Sequence, residues 1–117
     1  MESNQTMQKS QSSERIFIDR FVVPQNSKAE FIERMNINRS LIKNLPGFVE
    51  DAVYERNDEL GNLICVTVAV WESEEAIKKA REAVQAAYKK EGFNLQAMLE
   101  RLNITMLERG VYTKQVK

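Results

Sequence analysis

Four segments of the chain carry the apolar, β-branched-rich pattern that is typical of β-strands. They are RIFIDRFVV at 15–23, FVEDAVYER at 48–56, LICVTVAVW at 63–71 and NITMLERGVYT at 103–113, the last with a predicted bulge at Gly110. In the third segment both alternate sets of side chains are mostly apolar. Because neighbouring side chains of a strand point to opposite faces, we expect this strand to be covered on both sides.

The first predicted helix follows the first strand, after Pro24. Ser27 and Glu30 have the spacing of a capping box, so the helix is expected to begin there and to end near Asn44. Its apolar stripe includes the polar side chain of Asn38. A buried amide of this kind is either hydrogen-bonded locally or available to a ligand.

The second predicted helix begins after Ser73, whose hydroxyl is a favourable amino-terminal cap. It is expected to end at Gly92, a residue suited to the left-handed conformation of a carboxy-terminal cap. Asn94 is the predicted cap of a short third helix before the last strand. Gly61 lies in a polar loop and joins the second and third strands in a predicted hairpin.

The order of these elements is βαββαβ, with the extra short helix before the last strand. Two strand–helix–strand halves of this kind predict an α+β, ferredoxin-like fold with a four-stranded antiparallel sheet. Right-handed crossovers place the helices on one face of the sheet. The other face would expose apolar side chains, so we expect a homodimer whose sheets meet face to face, or a larger partner that covers the same surface.

Composition restricts the function. The 117 residues carry 17 basic and 17 acidic side chains, so charge gives no indication of a nucleic acid partner or an anionic membrane surface. No apolar run is long enough to span a bilayer and no secretory signal is evident, which makes the cytoplasm the expected compartment. Residues 1–14 are polar and are predicted to be a disordered tail, and residues 15–117 are expected to form a single domain.

The chain contains no histidine and a single cysteine, Cys65. These facts exclude Ser-His and Cys-His nucleophiles, a disulfide framework and multi-cysteine metal sites, so we expect neither a serine hydrolase nor a zinc enzyme. Chemistry would have to depend on carboxylates, tyrosine, lysine, arginine, asparagine or the reactivity of the substrate itself. Asp19 and Arg20 place one charge on each face of the first strand, where each either pairs with a neighbour or lines a cavity.

Three pieces of the sequence resemble the antibiotic biosynthesis monooxygenase domain, a dimeric α+β barrel of the ferredoxin-like type. They are FIDRFVVPQNSKAEF at 17–31, LPGFV at 45–49 and VAVWESEEAIKKA at 68–80. The resemblance implies a homodimer with a largely apolar pocket between the helices and the sheet of each subunit. It also implies oxidation of aromatic polyketides or quinols without metal or flavin.

A related branch of that family degrades haem with an axial histidine and an asparagine on the first strand. This chain lacks histidine and has Asp19 where that asparagine would align, which disfavours haem degradation.

The resemblance therefore implies a cofactor-independent monooxygenase acting on a small aromatic or quinol-type compound. In that interpretation Asp19 and Asn38 are the catalytic candidates, with Asp19 or a tyrosine moving a proton. Asn38, Arg20 or Arg39 would hold substrate oxygen atoms. The other substrate-binding candidates are the aromatic residues Phe21, Trp71 and Tyr88. Each of them could instead serve only to pack the core or an interface. Two other functions remain open: a non-catalytic dimer that binds a small metabolite, and an isomerase or decarboxylase on the same fold.

Overall fold

The computed structural model describes residues 13–115. Its strands are β1 (Arg15–Val23), β2 (Phe48–Asn57), β3 (Leu63–Trp71) and β4 (Thr105–Tyr112). Its helices are α1 (Lys28–Ile42), α2 (Glu74–Glu91) and α3 (Leu95–Arg101), with a short 3-10 turn (Gln25–Ser27) before α1. Residues 1–12 of the predicted tail lie outside the described residues, whereas the hydroxyl of Ser13 donates a hydrogen bond to the backbone carbonyl of Glu72 at 3.0 Å.

The four strands form one sheet in the order β2-β3-β1-β4, and all neighbours are antiparallel. β1 and β3, which are not consecutive in the chain, lie side by side in the centre of the sheet. This order and the helices on one face confirm the predicted ferredoxin-like fold.

Two apolar clusters lie between the helices and the sheet. One contains Phe21, Val23, Phe31, Leu63, Cys65, Met98, Leu99 and Ile104, and the other contains Ala69, Trp71, Ile77 and Ala80. The odd-numbered residues of β1 and β3 supply the strand side of both clusters. The even-numbered residues of β3 face away from the helices, and Val66, Val68 and Val70 among them are half-buried. In the described part of the chain, no helix covers that second face.

The structure confirms the predicted capping residues of α2 and α3. The Ser73 hydroxyl accepts a hydrogen bond from the backbone N–H of Ala76 at 3.1 Å, and the Asn94 side chain accepts one from that of Ala97 at 2.9 Å. Gly92 ends α2 with φ of 77°, in the left-handed region. Within residues 13–115 no helix is both long and apolar enough to cross a membrane.

Two details of the sequence interpretation were wrong. Ser27 makes no capping hydrogen bond to α1, because its hydroxyl instead donates to the backbone carbonyl of Leu102 at 2.8 Å. The irregularity in β4 is not at Gly110: the register with β1 skips Leu107. A second irregularity, at Val49, puts Phe48 on the helix side of the sheet together with Val53.

Candidate functional site

A cavity of about 450 Å³ lies between α1, α2 and the helix side of the sheet, with part of α3 at one end. Members of both apolar clusters line it. Six candidate residues predicted from the sequence also line it, and they are Asp19, Phe21, Asn38, Arg39, Trp71 and Tyr88. The candidate Arg20 does not line the cavity; it is exposed and lies 4.0 Å from Glu108. The structure therefore brings together residues that come from β1, β3, α1 and α2.

Asp19 is buried on β1, with 7% of its surface exposed, and it is bound by Arg109. The two residues are direct partners across β1 and β4. Arg109 donates from Nε to one carboxylate oxygen and from Nη2 to the other, both at 2.9 Å. This hydrogen bonding to Asp19 raises the pKa of Arg109 above its ordinary value, so the guanidinium stays charged.

Arg39 makes a second such pair on the opposite side of the cavity. Its Nε and Nη2 donate to the carboxylate of Asp51 on β2 at 2.7 Å and 3.3 Å. The hydrogen bond to Asp51 raises the pKa of Arg39. Two arginine–carboxylate pairs thus flank an otherwise mostly apolar space. One pair lies towards the β4 edge of the sheet and the other towards the β2 edge.

Tyr88 of α2 faces Asn38 of α1 across the cavity. Burial raises the pKa of the Tyr88 hydroxyl, and the nearby positive charges of Arg34 and Arg109 and the Asn38 amide oppose that shift. The Oδ1 atom of Asn38 is buried and has no hydrogen-bond partner within residues 13–115. A buried acceptor without a partner is energetically costly and is uncommon outside functional sites.

Arg34 closes the end of the cavity nearest the carboxyl end of α2. Its guanidinium donates to both carboxylate oxygens of Glu91 at 2.6 Å and 3.0 Å. The same group lies 3.5 Å from the centre of the Phe93 ring and 5.1 Å from that of Tyr88. Arg34 therefore joins α1 to the carboxyl end of α2 and places a positive charge next to Tyr88.

Trp71 and Phe21 are wall residues that also belong to the core. Trp71 is 3% exposed and packs edge-to-face on Phe48, with ring centres 5.5 Å apart. Phe21 is 6% exposed and packs in the same manner on Phe31 at 5.2 Å. Their rings can contact a ligand only at the surface that they present to the cavity.

Arg109 and Arg34 line the cavity and were not among the residues predicted from sequence. A signal for Arg109 was present in part: Asp19 is a carboxylate in an apolar strand, and in the observed sheet β4 lies beside β1. Arg109 is the single basic residue in the predicted β4 segment. No comparable signal pointed to Arg34, since its partners Tyr88, Glu91 and Phe93 lie 54 to 59 residues away, on another helix and in the loop after it.

The described residues contain no group of three or more histidine, cysteine, aspartate or glutamate side chains arranged to hold a metal ion. The polar lining includes arginine–carboxylate pairs, the amides of Asn38, Gln85 and Gln96, and the phenol of Tyr88, within mostly apolar walls. Such groups can move a proton, stabilise an organic anion and exclude water.

Similar architecture occurs in several solved structures. SnoaB from Streptomyces nogalater, a cofactor-independent oxygenase, is 25% and 26% identical in two crystal structures, with TM-scores of 0.67 and 0.66. Each match covers 90% of this chain and 96% of SnoaB. A Chloroflexus aurantiacus protein, provisionally assigned as an antibiotic biosynthesis monooxygenase, is 18% identical with a TM-score of 0.60, over 90% of this chain and 96% of its own.

The chain has the antibiotic biosynthesis monooxygenase fold. A conserved protein from Methanosarcina mazei shares this fold at 15% identity, with a TM-score of 0.68 over 92% of this chain and 99% of its own. No protein-family model and no curated protein matches the sequence. The antibiotic biosynthesis monooxygenase fold is therefore recognised here through the structure, and it is one on which SnoaB acts as an oxygenase without a cofactor.

Proposed function

We propose that this protein is a cofactor-independent monooxygenase that oxidises a small hydroxylated aromatic or quinol-type compound in the cavity between the helices and the sheet. The observation that carries the proposal is the convergence of Asp19, Asn38 and Tyr88 on one mostly apolar space of about 450 Å³. The likeness to SnoaB, over nearly the whole of both chains, supports oxygenation as the reaction.

The reaction requires an electron-rich organic anion rather than a cofactor. A phenol or enol loses its proton, and the resulting anion transfers electrons to dioxygen. In the keto tautomer of such a compound, one oxygen atom replaces the two hydrogens of a ring CH₂ group to form a carbonyl, and the second oxygen leaves with those hydrogens as water. Because the substrate is the reductant, the protein has to accept a proton, stabilise negative charge and keep water away.

Asp19 is the proposed proton acceptor. Both of its oxygens are bound by Arg109, but a carboxylate oxygen has more than one acceptor position. When the carboxylate takes the proton, the charge of Arg109 is no longer neutralised by Asp19. That charge then stabilises the substrate anion, so the ion pair would act as one unit.

The remaining candidates orient the substrate. Asn38 offers a buried acceptor without a partner, which a rotation of its amide would bring to a substrate hydroxyl. Arg39 is neutralised by Asp51, so its proposed part is to donate a hydrogen bond rather than to supply net charge. Phe21, Trp71 and Tyr88 provide the surfaces against which a flat ring would pack.

The homodimer belongs to the proposal. The second face of the sheet carries half-buried valines and isoleucines that helices do not cover, and two such faces packed together would remove this apolar surface from water. Sedimentation that shows a stable species of 13.5 kDa at micromolar concentration would contradict this part of the proposal.

Oxygen uptake with a panel of anthrones, dihydroxynaphthalenes and quinols tests the reaction. We expect protein-dependent uptake with at least one compound and a large loss of rate in Asp19→Asn. Glu59→Gln, which removes an exposed carboxylate in the hairpin loop, is the matched control and should retain the full rate. Uptake by no compound would contradict the proposal, and an undiminished rate in Asp19→Asn would exclude Asp19 as the base.

The pairing of both cavity aspartates with arginines also favours a second candidate, a protein that binds a small aromatic metabolite without converting it. Saturable binding of panel compounds without oxygen uptake would support that candidate.

A further inference from the structure

The charges that line the cavity do not balance. Four arginines line it, Arg34, Arg39, Arg81 and Arg109, together with two carboxylates, Asp19 and Asp51. Three of the arginines are neutralised: two by those aspartates and Arg34 by Glu91. Among residues 13–115, Arg81 makes no ion pair. One positive charge on the cavity wall therefore has no ionic partner within that range.

The position of Arg81 on α2 distinguishes it from the other charged residues of that helix. Arg81 shares the cavity face of α2 with Ile77, Val84 and Tyr88. Residues three and four positions from it, on either side, are Ile77, Lys78, Val84 and Gln85, so no carboxylate of its own helix stands at the spacing that favours an ion pair. By contrast, Lys79 on the opposite face follows Glu75 by four residues, a spacing that favours an ion pair.

Gln85 lies one helical turn beyond Arg81 and also lines the cavity. Its amide N–H is a second donor next to the guanidinium. Both side chains belong to exposed residues, so they stand where the cavity meets solvent. A guanidinium with a neighbouring amide donor at the mouth of an apolar cavity is suited to hold a carboxylate whose organic body lies inside.

We propose that the ligand of this cavity is an aromatic acid, whose carboxylate is held by Arg81 and Gln85 while its ring system lies against the apolar walls. The identity of the ring system rests on the proposed function; the requirement for a negative charge rests on Arg81 alone. Arg81 and Tyr88 are seven residues apart, about 10.5 Å along the helix axis. A carboxylate held at Arg81 therefore lies at the far end of a fused-ring ligand from the ring edge that packs against Tyr88, and Arg81 is a specificity-determining residue.

Calorimetric titration with a hydroxynaphthoic acid and with its neutral carboxamide tests this inference. Trp71, the single tryptophan of the chain, lines the cavity, so quenching of its fluorescence reports that the ligand is inside. We expect the wild-type protein to bind the acid more tightly than the amide. Arg81→Gln should weaken binding of the acid roughly three- to tenfold and leave the amide within about twofold, since an exposed guanidinium contributes modestly.

Lys79→Gln is the control, because it removes the same charge from the opposite face of α2, and it should change neither affinity. Arg81→Lys should restore part of the preference for the acid, and added salt should reduce that preference in the wild type. Equal affinity for acid and amide, or equal weakening of both by Arg81→Gln, would overturn the inference. An acid preference that depends on Arg81 without any oxygen uptake would contradict the proposed reaction but support the aromatic acid.

Discussion

Arg109 on β4 holds both carboxylate oxygens of Asp19 on β1, at 2.9 Å each, across the edge of the sheet that borders the cavity. The Asp19 side chain is 9% exposed and the Arg109 side chain 44% exposed, so the carboxylate is the buried member of the pair. Removing the arginine therefore leaves a buried negative charge, whereas removing the carboxylate leaves a cation that water still reaches.

This asymmetry predicts different losses of stability. Arg109→Gln should lower the free energy of unfolding by about 1–3 kcal/mol, the cost of an unpartnered buried charge at a partly exposed site. Asp19→Asn should cost less, because Arg109 remains half solvated. Urea unfolding of both variants and of the double variant measures the coupling between the two residues. A double variant less stable than Arg109→Gln would contradict the pairing argument.

Gly47 and Gly92 give a matched pair of glycine substitutions. Both have positive φ, 86° and 77°, but a Cβ at Gly47 would lie 2.5 Å from the Cβ of Ala76, whereas a Cβ at Gly92 would meet nothing within 4 Å. Gly92→Ala should cost about 1 kcal/mol, from the left-handed backbone alone. Gly47→Ala should cost about 1–3 kcal/mol more, because α2 must move away from the turn. Equal losses in thermal or urea unfolding would show that the close approach is absent.

Features set by neighbouring residues could be predicted from the sequence. The caps at Ser73, Asn94 and Gly92 depend on backbone groups within a few residues, and the structure confirms them. The ferredoxin-like fold also followed, because four strands and two right-handed crossovers leave few arrangements. Ser27 shows the limit of such reasoning: its hydroxyl has a local capping partner in the sequence pattern, yet it bonds to Leu102, 75 residues away.

The sequence predicted which residues line the candidate site but not the ion pairs and hydrogen bonds between them. Asp19 and Asn38 were found because a polar side chain interrupts an apolar pattern. The partners of Asp19 and Arg39 depend on strand register and on the irregularities at Val49 and Leu107, which the apolar pattern does not encode. Arg81 shows the same limit, since an unpaired arginine is recognised only when the ion pairs of the other cavity arginines are known.

The ion pair between Arg34 and Glu91 predicts an acid-dependent loss of stability. Hydrogen bonding from Arg34 lowers the pKa of Glu91 below its ordinary value of 4.5. A depressed carboxylate pKa stabilises the folded protein above the unfolded-state pKa, and the contribution is lost as the pH falls through the folded-state pKa. Glu91→Gln should therefore lower the Tm at pH 7, and its difference from the wild type should shrink below about pH 4.5.

Glu82→Gln, also on α2 but without this partner, serves as the control for the Glu91 variant. The Tm of Glu82→Gln should differ little from that of the wild type at pH 7. If the Tm difference between Glu91→Gln and the wild type stays constant across the acid range, the ion pair between Arg34 and the ionised Glu91 does not contribute to stability.

Cys65 predicts a loss of stability at alkaline pH. Its thiol is fully buried and lies 3.8 Å from the sulfur of Met35, to which it donates. Burial, with a smaller effect from the negative charge of Glu55, raises the pKa of the thiol from 9.0 to about 11. The unfolded chain therefore releases this proton at lower pH than the folded protein does. Stability should fall as the pH rises from about 9 to about 11, by on the order of 2 kcal/mol.

Cys65→Ala isolates this effect from the other groups that titrate in the same range. The variant should be less stable than the wild type near neutral pH, because it leaves a small void, but the difference should narrow as the pH approaches 11. Burial of the thiol also predicts its reactivity. A thiol reagent should modify Cys65 in the native protein only as fast as the protein opens, whereas it should modify the unfolded protein immediately. Fast modification of the native protein, or a stability difference that is independent of pH, would contradict a buried and protonated thiol.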